Sequence, residues 1–177
     1  LNQAVVVDPS DASARYYRGI THARLADWVG AVADFRVVHE QAPDLKQAAL
    51  ELGVALLETG EYADAARVLT AAQAVPELEA HAAFFTGIAQ LRTKQVKAAR
   101  ESFKKAVRSA PELNAAAQYY LGIAAYQRGE LHTARTHFSA VDAQRAVTPM
   151  GAEARQFLQQ IRQSEPPTLS LIHISEP

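Results

Sequence analysis

Apolar and polar positions follow one another along this chain with the rhythm of helices, and the rhythm repeats. Between Lys46 and Glu77, the residues Ala49, Leu52, Gly53, Leu56 and Leu57 fall at helical spacing and give one apolar face. Gly60 comes next and is predicted to stop that helix, since glycine takes the left-handed C-cap conformation without steric cost. Glu61 then falls in the predicted first turn of a second helix, where a carboxylate suits the positive end of the helix dipole. Ala65, Leu69 and Ala72 form the apolar face of that helix, and Pro76 is expected to end it by removing a backbone donor. The predicted unit is two helices joined by a tight turn.

The unit recurs. Gly19, Gly53, Gly87 and Gly122 stand 34, 34 and 35 residues apart. An alanine follows each glycine after twelve residues (Ala31, Ala65, Ala99, Ala134), and four residues on comes a large apolar side chain (Phe35, Leu69, Phe103, Phe138). Prolines return near the same interval, at Pro9, Pro43, Pro76 and Pro111. Fixed landmarks at such a period mean stacked copies of one supersecondary unit. Sterically, the glycine and alanine are expected where the two helices cross most closely. Leu69 or Phe103 is expected to fill the space beside the next repeat.

These residues resemble the tetratricopeptide repeat, whose pattern is Leu-Gly on a first helix, then Ala-x3-Phe on a second, then proline. The first repeat carries Gly19, Trp28, Ala31, Phe35, Val38 and Pro43; the second carries Leu52-Gly53, Ala65, Leu69, Ala72 and Pro76. The third carries Gly87, Ala99, Phe103, Ala106 and Pro111; the fourth carries Leu121-Gly122, Gly129, Ala134, Phe138 and Val141. The resemblance spans Leu1 to about Val141 and implies an all-α fold, a right-handed α-solenoid of stacked helix-turn-helix units. The first helices depart from the pattern most. The family's early tryptophan position holds Arg15, Ala49, Ala83 and Gln118, and its first-helix tyrosine position holds His22, Leu56, Gln90 and Ala125. Arg18 and Thr86 stand where leucine precedes the glycine.

The frame divides the chain into four repeats at 12–45, 46–79, 80–113 and 114–147, with residues 1–11 as the second helix of a truncated repeat. After a break at Thr148 to Gly151, Ala154, Phe157, Leu158 and Ile161 follow at i, i+3, i+4 and i+7. This predicts a capping helix over 148–163, with 164–168 as a linker. Leu169 to Pro177 resembles a translated sequencing-library transposon adapter and takes no part in the functional argument. Both natural ends are expected to lie outside the sequence, so the compartment, cytoplasmic or periplasmic, stays open.

In the family, ligands lie in the concave groove lined by first helices. Carried over, that groove is lined by Tyr16, Leu50, Phe84 and Tyr119, three residues before each glycine. Ile20, Val54, Ile88 and Ile123, one residue after each glycine, complete it. None is a lysine, arginine or asparagine of the sort that clamps a partner's terminal carboxylate. The resemblance implies a protein or peptide partner offering an apolar strip, as an amphipathic helix or an extended segment. The alternative is that these eight pack between neighbouring first helices and are half-buried.

Composition changes this picture little. Apolar residues make up 49% of 177 and charged residues 21%, and the net charge of -1 exerts no global pull on nucleic acid or anionic lipid. Charge is uneven locally. Arg92 to Arg108 holds seven basic residues against Glu101, while Asp44 to Asp64 holds five acids against Lys46. The basic stretch fits either phosphate contact or a solvated face pairing with the acidic repeat beside it, and the latter is expected, because no aromatic platform or base-reading motif accompanies it. The absence of cysteine excludes disulfides and thiolate metal sites. His132 and His137 are five apart, about 140° around a helix, and so do not share a metal in the i, i+4 manner. His22 is expected as a packed histidine. No phosphate-loop, metalloprotease or nucleophile-elbow motif occurs. A non-catalytic interaction scaffold without a cofactor, not binding nucleic acid and not inserting in a membrane, is expected. The competing expectation is a periplasmic repeat domain of an outer-membrane β-barrel or envelope assembly protein.

Overall fold

The structure, a computed structural model, describes residues 11–143 and 148–164. The expected truncated helix before Asp11, the linker and the adapter-like tail lie outside them, Asp11 and Ser164 apart. The chain divides into two units, Leu1–Ala117 and Gln118–Pro177, each taken by itself below.

The described residues are helical throughout, without strands. In the first unit α1 (Ala12–Arg24) pairs with α2 (Trp28–Gln41), α3 (Lys46–Thr59) with α4 (Tyr62–Ala72), and α5 (Pro76–Arg92) with α6 (Val96–Ser109). Within the first unit α2 also packs on α3 and α4 on α5, while α1, α3 and α5 are successive neighbours. A 3-10 turn, Pro111–Leu113, leads into α7 (Asn114–Gln127), which runs on into the second unit. There α8 (Leu131–Ala143) packs against α9 (Pro149–Ser164).

Contact between glycine and knob sets the helix pairs. A Cβ placed on Gly53 would stand 2.3 Å from Leu69 Cγ. On Gly19, Gly87 and Gly122 it would stand 2.7, 2.8 and 2.7 Å from a ring atom of Phe35, Phe103 and Phe138. The knob therefore fills the space over its own repeat's glycine, a contact that the sequence frame did not assign to it. All four knobs are essentially without solvent exposure. Losing such a buried ring costs about 3–5 kcal/mol.

The turn between paired helices is the same four times. Seven residues after each glycine stands a residue with positive φ: Ala26 (57°), Gly60 (85°), Lys94 (63°) and Gly129 (74°). The next backbone N–H in each case bonds back across five residues: Asp27 to His22 O (2.9 Å), Glu61 to Leu56 O (2.8 Å), Gln95 to Gln90 O (2.7 Å) and Glu130 to Ala125 O (3.0 Å). This is the six-to-one bond of a Schellman motif, which satisfies carbonyls the helix end leaves open. The landmark alanine then closes the first turn of the second helix. Ala31, Ala65, Ala99 and Ala134 donate to the carbonyls of Asp27, Glu61, Gln95 and Glu130.

Two local expectations change. Pro76 opens α5 at its first position and does not end α4, which stops at Ala72. Pro111 and Pro149 likewise open the elements that follow them. A proline is at ease there, because the N–H it lacks has no partner within the helix. Glu61 sits at the N-cap of α4 without capping it; its carboxylate accepts from Arg36 at 2.9 Å instead.

In the second unit the break at Thr148 is a helix start. The Gly151 N–H donates to Thr148 Oγ1 at 3.1 Å, and α9 runs to Ser164. Phe157 stacks flat on the knob Phe138, with centroids 4.8 Å apart and planes 3° from parallel. Ala154 and Ile161 are fully buried beside it.

Two stability changes of opposite sign follow. Gly53→Ala overpacks the Leu69 contact and is expected to lose about 1–3 kcal/mol, although alanine is the better helix former by about 1 kcal/mol. Ala26→Gly and Lys94→Gly relieve the positive φ and are expected to gain a few tenths to about 1 kcal/mol each. Urea midpoints followed by circular dichroism read both, and a stabilised Gly53→Ala chain would contradict the packing account.

Candidate functional site

Angular position relative to the glycine decides what each first-helix residue does. Steps of about 100° put the residue three before it roughly 60° away, the residue one after it about 100° away, and the residue two before it about 160° away, nearly opposite the second helix. The structure follows this order. Of the first row, Leu50, Phe84 and Tyr119 are 9, 7 and 8% exposed, and Tyr16 is half-buried. Three of them brace their own repeat's knob, with centroids 5.9 Å apart for Tyr16 and Phe35, 5.5 Å for Phe84 and Phe103, and 6.2 Å for Tyr119 and Phe138. Tyr119 also donates its hydroxyl to the Glu153 carboxylate, and burial followed by that bond pushes its pKa up. This row is predominantly core.

The second row stays half-buried at every member. Ile20, Val54 and Ile88 lie on the three neighbouring helices α1, α3 and α5 of the first unit, and Ile123 lies in the second unit, packed against its core.

A third row escaped the sequence reading. Two residues before the glycines stand Tyr17, Glu51, Phe85 and Tyr120. Tyr17 is 60% exposed, and the others are half-buried. The signal was a doublet: Tyr16-Tyr17, Phe84-Phe85 and Tyr119-Tyr120 each make an edge-on pair at 5.5–5.6 Å, in which Tyr17 is exposed while Phe85 and Tyr120 still pack in part against the core. In the first unit the outward face of α1, α3 and α5 thus carries Tyr17, Ile20, Val54, Phe85 and Ile88, with Glu51 on the middle helix.

The other flank of the first repeat is charged inside. Asp34, 2% exposed, receives Arg18 Nε at 2.7 Å and a second guanidinium nitrogen at 2.5 Å, and Arg15 stands 3.7 Å away. His22 lies 2.7 Å from Asp27 and 3.9 Å from Asp34. Donating to the Asp34 carboxylate raises the Arg18 pKa. Asp27 is held below the usual carboxylate range, first by the Gly30 N–H and then by His22. These groups lock α1 to α2. The three slots of Arg18, His22 and Asp34 hold Leu52, Leu56 and Val68 in the second repeat and Thr86, Gln90 and Ser102 in the third, where Ser102 donates to Gln90 at 2.8 Å.

On the second-helix side, a cavity of about 340 Å³ has Leu52, Leu56 and Val68 as its floor and Arg36, His39, Glu40, Asp64 and Arg67 at its rim. Arg36 is held by Glu61 and Arg67 by Asp64. Part of the basic stretch meets the neighbouring repeat. Arg92 lies 4.7 Å over the Tyr62 ring of α4, and Lys105 donates to Gln73 at 3.0 Å as well as reaching Glu79 of its own helix pair at 3.2 Å. Lys105 and then Ser109 hold the Glu79 carboxyl below its usual range. His137 pairs with Gln118 at 2.6 Å, and His132 with Arg135. Among the described residues no cluster of three or more histidines and acids is placed to hold a metal, and no helix is long and apolar enough to cross a membrane.

Replacing Asp34 by Ala leaves Arg18 partly buried without a partner and is expected to cost about 2–4 kcal/mol. The double change Arg18→Leu with Asp34→Val, copying the second repeat, is expected to restore most of it. Urea unfolding of the two variants decides; a double variant no better than Asp34→Ala would show that the ion pair is not interchangeable with apolar packing.

The tetratricopeptide repeat family matches residues 50–113 and 98–147. Among solved structures, MamA 41-end from Desulfovibrio magneticus RS-1 is 27% identical, with a TM-score of 0.70 over 81% of this chain and 82% of that one. PilW, described as a widely conserved type IV pilus biogenesis factor, is 20% identical, with a TM-score of 0.72 over 92% of this chain and 80% of that one. Pseudomonas aeruginosa pilF is 20% identical, with a TM-score of 0.66 over 90% of this chain and 77% of that one. No curated protein matches the sequence.

Proposed function

The chain belongs to the tetratricopeptide repeat family, which makes it a protein-interaction scaffold, and we propose that it holds an apolar segment of a partner protein along its first helices. The observation that carries this is the file of half-buried Ile20, Val54 and Ile88 on three neighbouring helices, rimmed by the exposed ring of Tyr17 and by Phe85. Tyr16, Leu50, Phe84 and Tyr119 support that surface from below and are not its lining, apart from the exposed edge of Tyr16. Ile123 holds the same position in the second unit. Recognition is by complementarity on a stiff helical array, requires no cofactor and includes no catalytic step. Neighbouring aliphatic side chains suit the apolar face of a helix or alternate residues of an extended strand. The unit of recognition is taken as the repeats 12–45, 46–79 and 80–113.

Peptides selected from a random dodecapeptide phage library on the folded chain, then made synthetically, provide the probe. Val54→Asp and Ile88→Asp are each expected to weaken their binding by more than about tenfold, because a carboxylate is forced into an apolar contact. Helical circular dichroism is expected to stay unchanged. Equal binding by the variants, or loss of the helical signal, would place these residues in the core and end the proposal.

A further inference from the structure

One side chain on this face does not fit an apolar ligand. Glu51 occupies the position that holds Tyr17 and Phe85 on the neighbouring helices, nearly opposite the buried side of α3. It is half-buried, and among the described residues its only hydrogen bond is from the neutral amide of Gln47 at 3.1 Å. Its charge reaches the Tyr16 hydroxyl, which burial first and Glu51 second push upward in pKa. Among the described residues no lysine, arginine or histidine forms an ion pair with it. The other buried or half-buried acids of the first unit are engaged. Asp34 is held by Arg18, Glu79 by Lys105, and Asp11 accepts the Ala14 N–H at the start of α1. A half-buried carboxylate beside Tyr16 and without a counter-ion is stabilised when a cation arrives. Rings at the same register on the two neighbouring helices favour the same visitor, since a cation is attracted to an aromatic face. Glu58, seven residues on along the same side of α3, is exposed and adds attraction at longer range.

We infer that Glu51 determines specificity on this face: it receives one lysine or arginine side chain carried within the partner's apolar segment, between the rings of Tyr17 and Phe85. The inference rests on the binding face proposed above and names what that face selects. It distinguishes the partner from an uncharged apolar segment and from one bearing an acid at the same place, which Glu51 would repel.

The same phage library, panned on the folded chain and on Glu51→Gln, provides the test. Peptides enriched on the unaltered chain are expected to share a lysine or arginine between apolar residues and to bind Glu51→Gln about tenfold more weakly by calorimetry. Exchanging that peptide lysine for norleucine is expected to cost about tenfold on the unaltered chain and nothing on Glu51→Gln, a control that needs no further protein variant. Enriched peptides lacking a basic residue and bound equally by both chains would overturn the role of Glu51 while leaving the apolar face in place, provided that Val54→Asp still weakens them. A basic residue preferred equally by Glu51→Gln would also overturn it. Failure to enrich any peptide would remove the binding face and this inference together.

Discussion

A missing side chain organises this protein. At Gly19, Gly53, Gly87 and Gly122 the second helix lays its largest apolar group where a Cβ would be, so the paired helices approach more closely than any alanine permits. That distance fixes the rest of the cross-section. The residue three before the glycine is drawn against the knob and becomes core. The residue one after it is left on the shoulder, and the residue two before it is turned outward. The surface proposed for binding is therefore a by-product of packing: whatever stands at those two outward registers is presented by each repeat that keeps the glycine, and in file by the three repeats of the first unit.

The flank beside this contact tolerates very different chemistry provided that it is self-consistent. Arg18, His22 and Asp34 fill it with charge, Leu52, Leu56 and Val68 with hydrocarbon, and Thr86, Gln90 and Ser102 with neutral hydrogen bonds. The charged set closes within its own pair of helices, whereas Thr86 of the neutral set also accepts from Gln73 at the end of α4, at 3.0 Å. A buried ion pair is not inherently more stabilising than the apolar set, since the desolvation of both charges opposes their attraction. It does make a wrong pairing expensive, because Asp34 opposite the leucines of the second repeat would be a buried charge without a partner.

Much of this was legible in the sequence, and what was not has identifiable causes. The glycines, alanines and knobs were visible because steric exclusion repeats at fixed spacing. The left-handed turn position was half visible: Gly60 and Gly129 advertise it, whereas Ala26 and Lys94 conceal it by adopting a conformation their side chains disfavour. The prolines were placed against the wrong helix, because a residue that cannot continue one helix is equally suited to begin the next, and spacing alone does not distinguish the two. The groove residues come from two family positions counted from the glycine, and that register does not by itself separate a core row from a surface row; Leu50, Phe84 and Tyr119 turn inward, and the row of Tyr17, Glu51 and Phe85 falls outside the two positions. Asp34 was unreadable as an interior residue, since an acid on a helix is ordinarily solvated.

The identical turn also governs where the chain can change length. From glycine to landmark alanine the count is twelve in every repeat, because the bond back across five residues and the left-handed residue before it admit one loop size only. From that alanine to the next glycine the count is 22, 22 and then 23, and the longest interval is the one holding the 3-10 turn at Pro111–Leu113. Insertions, grafted loops and permuted termini are thus accommodated between repeats and refused within them, so that a lineage of such chains would diverge in length at one class of junction while the other stayed fixed.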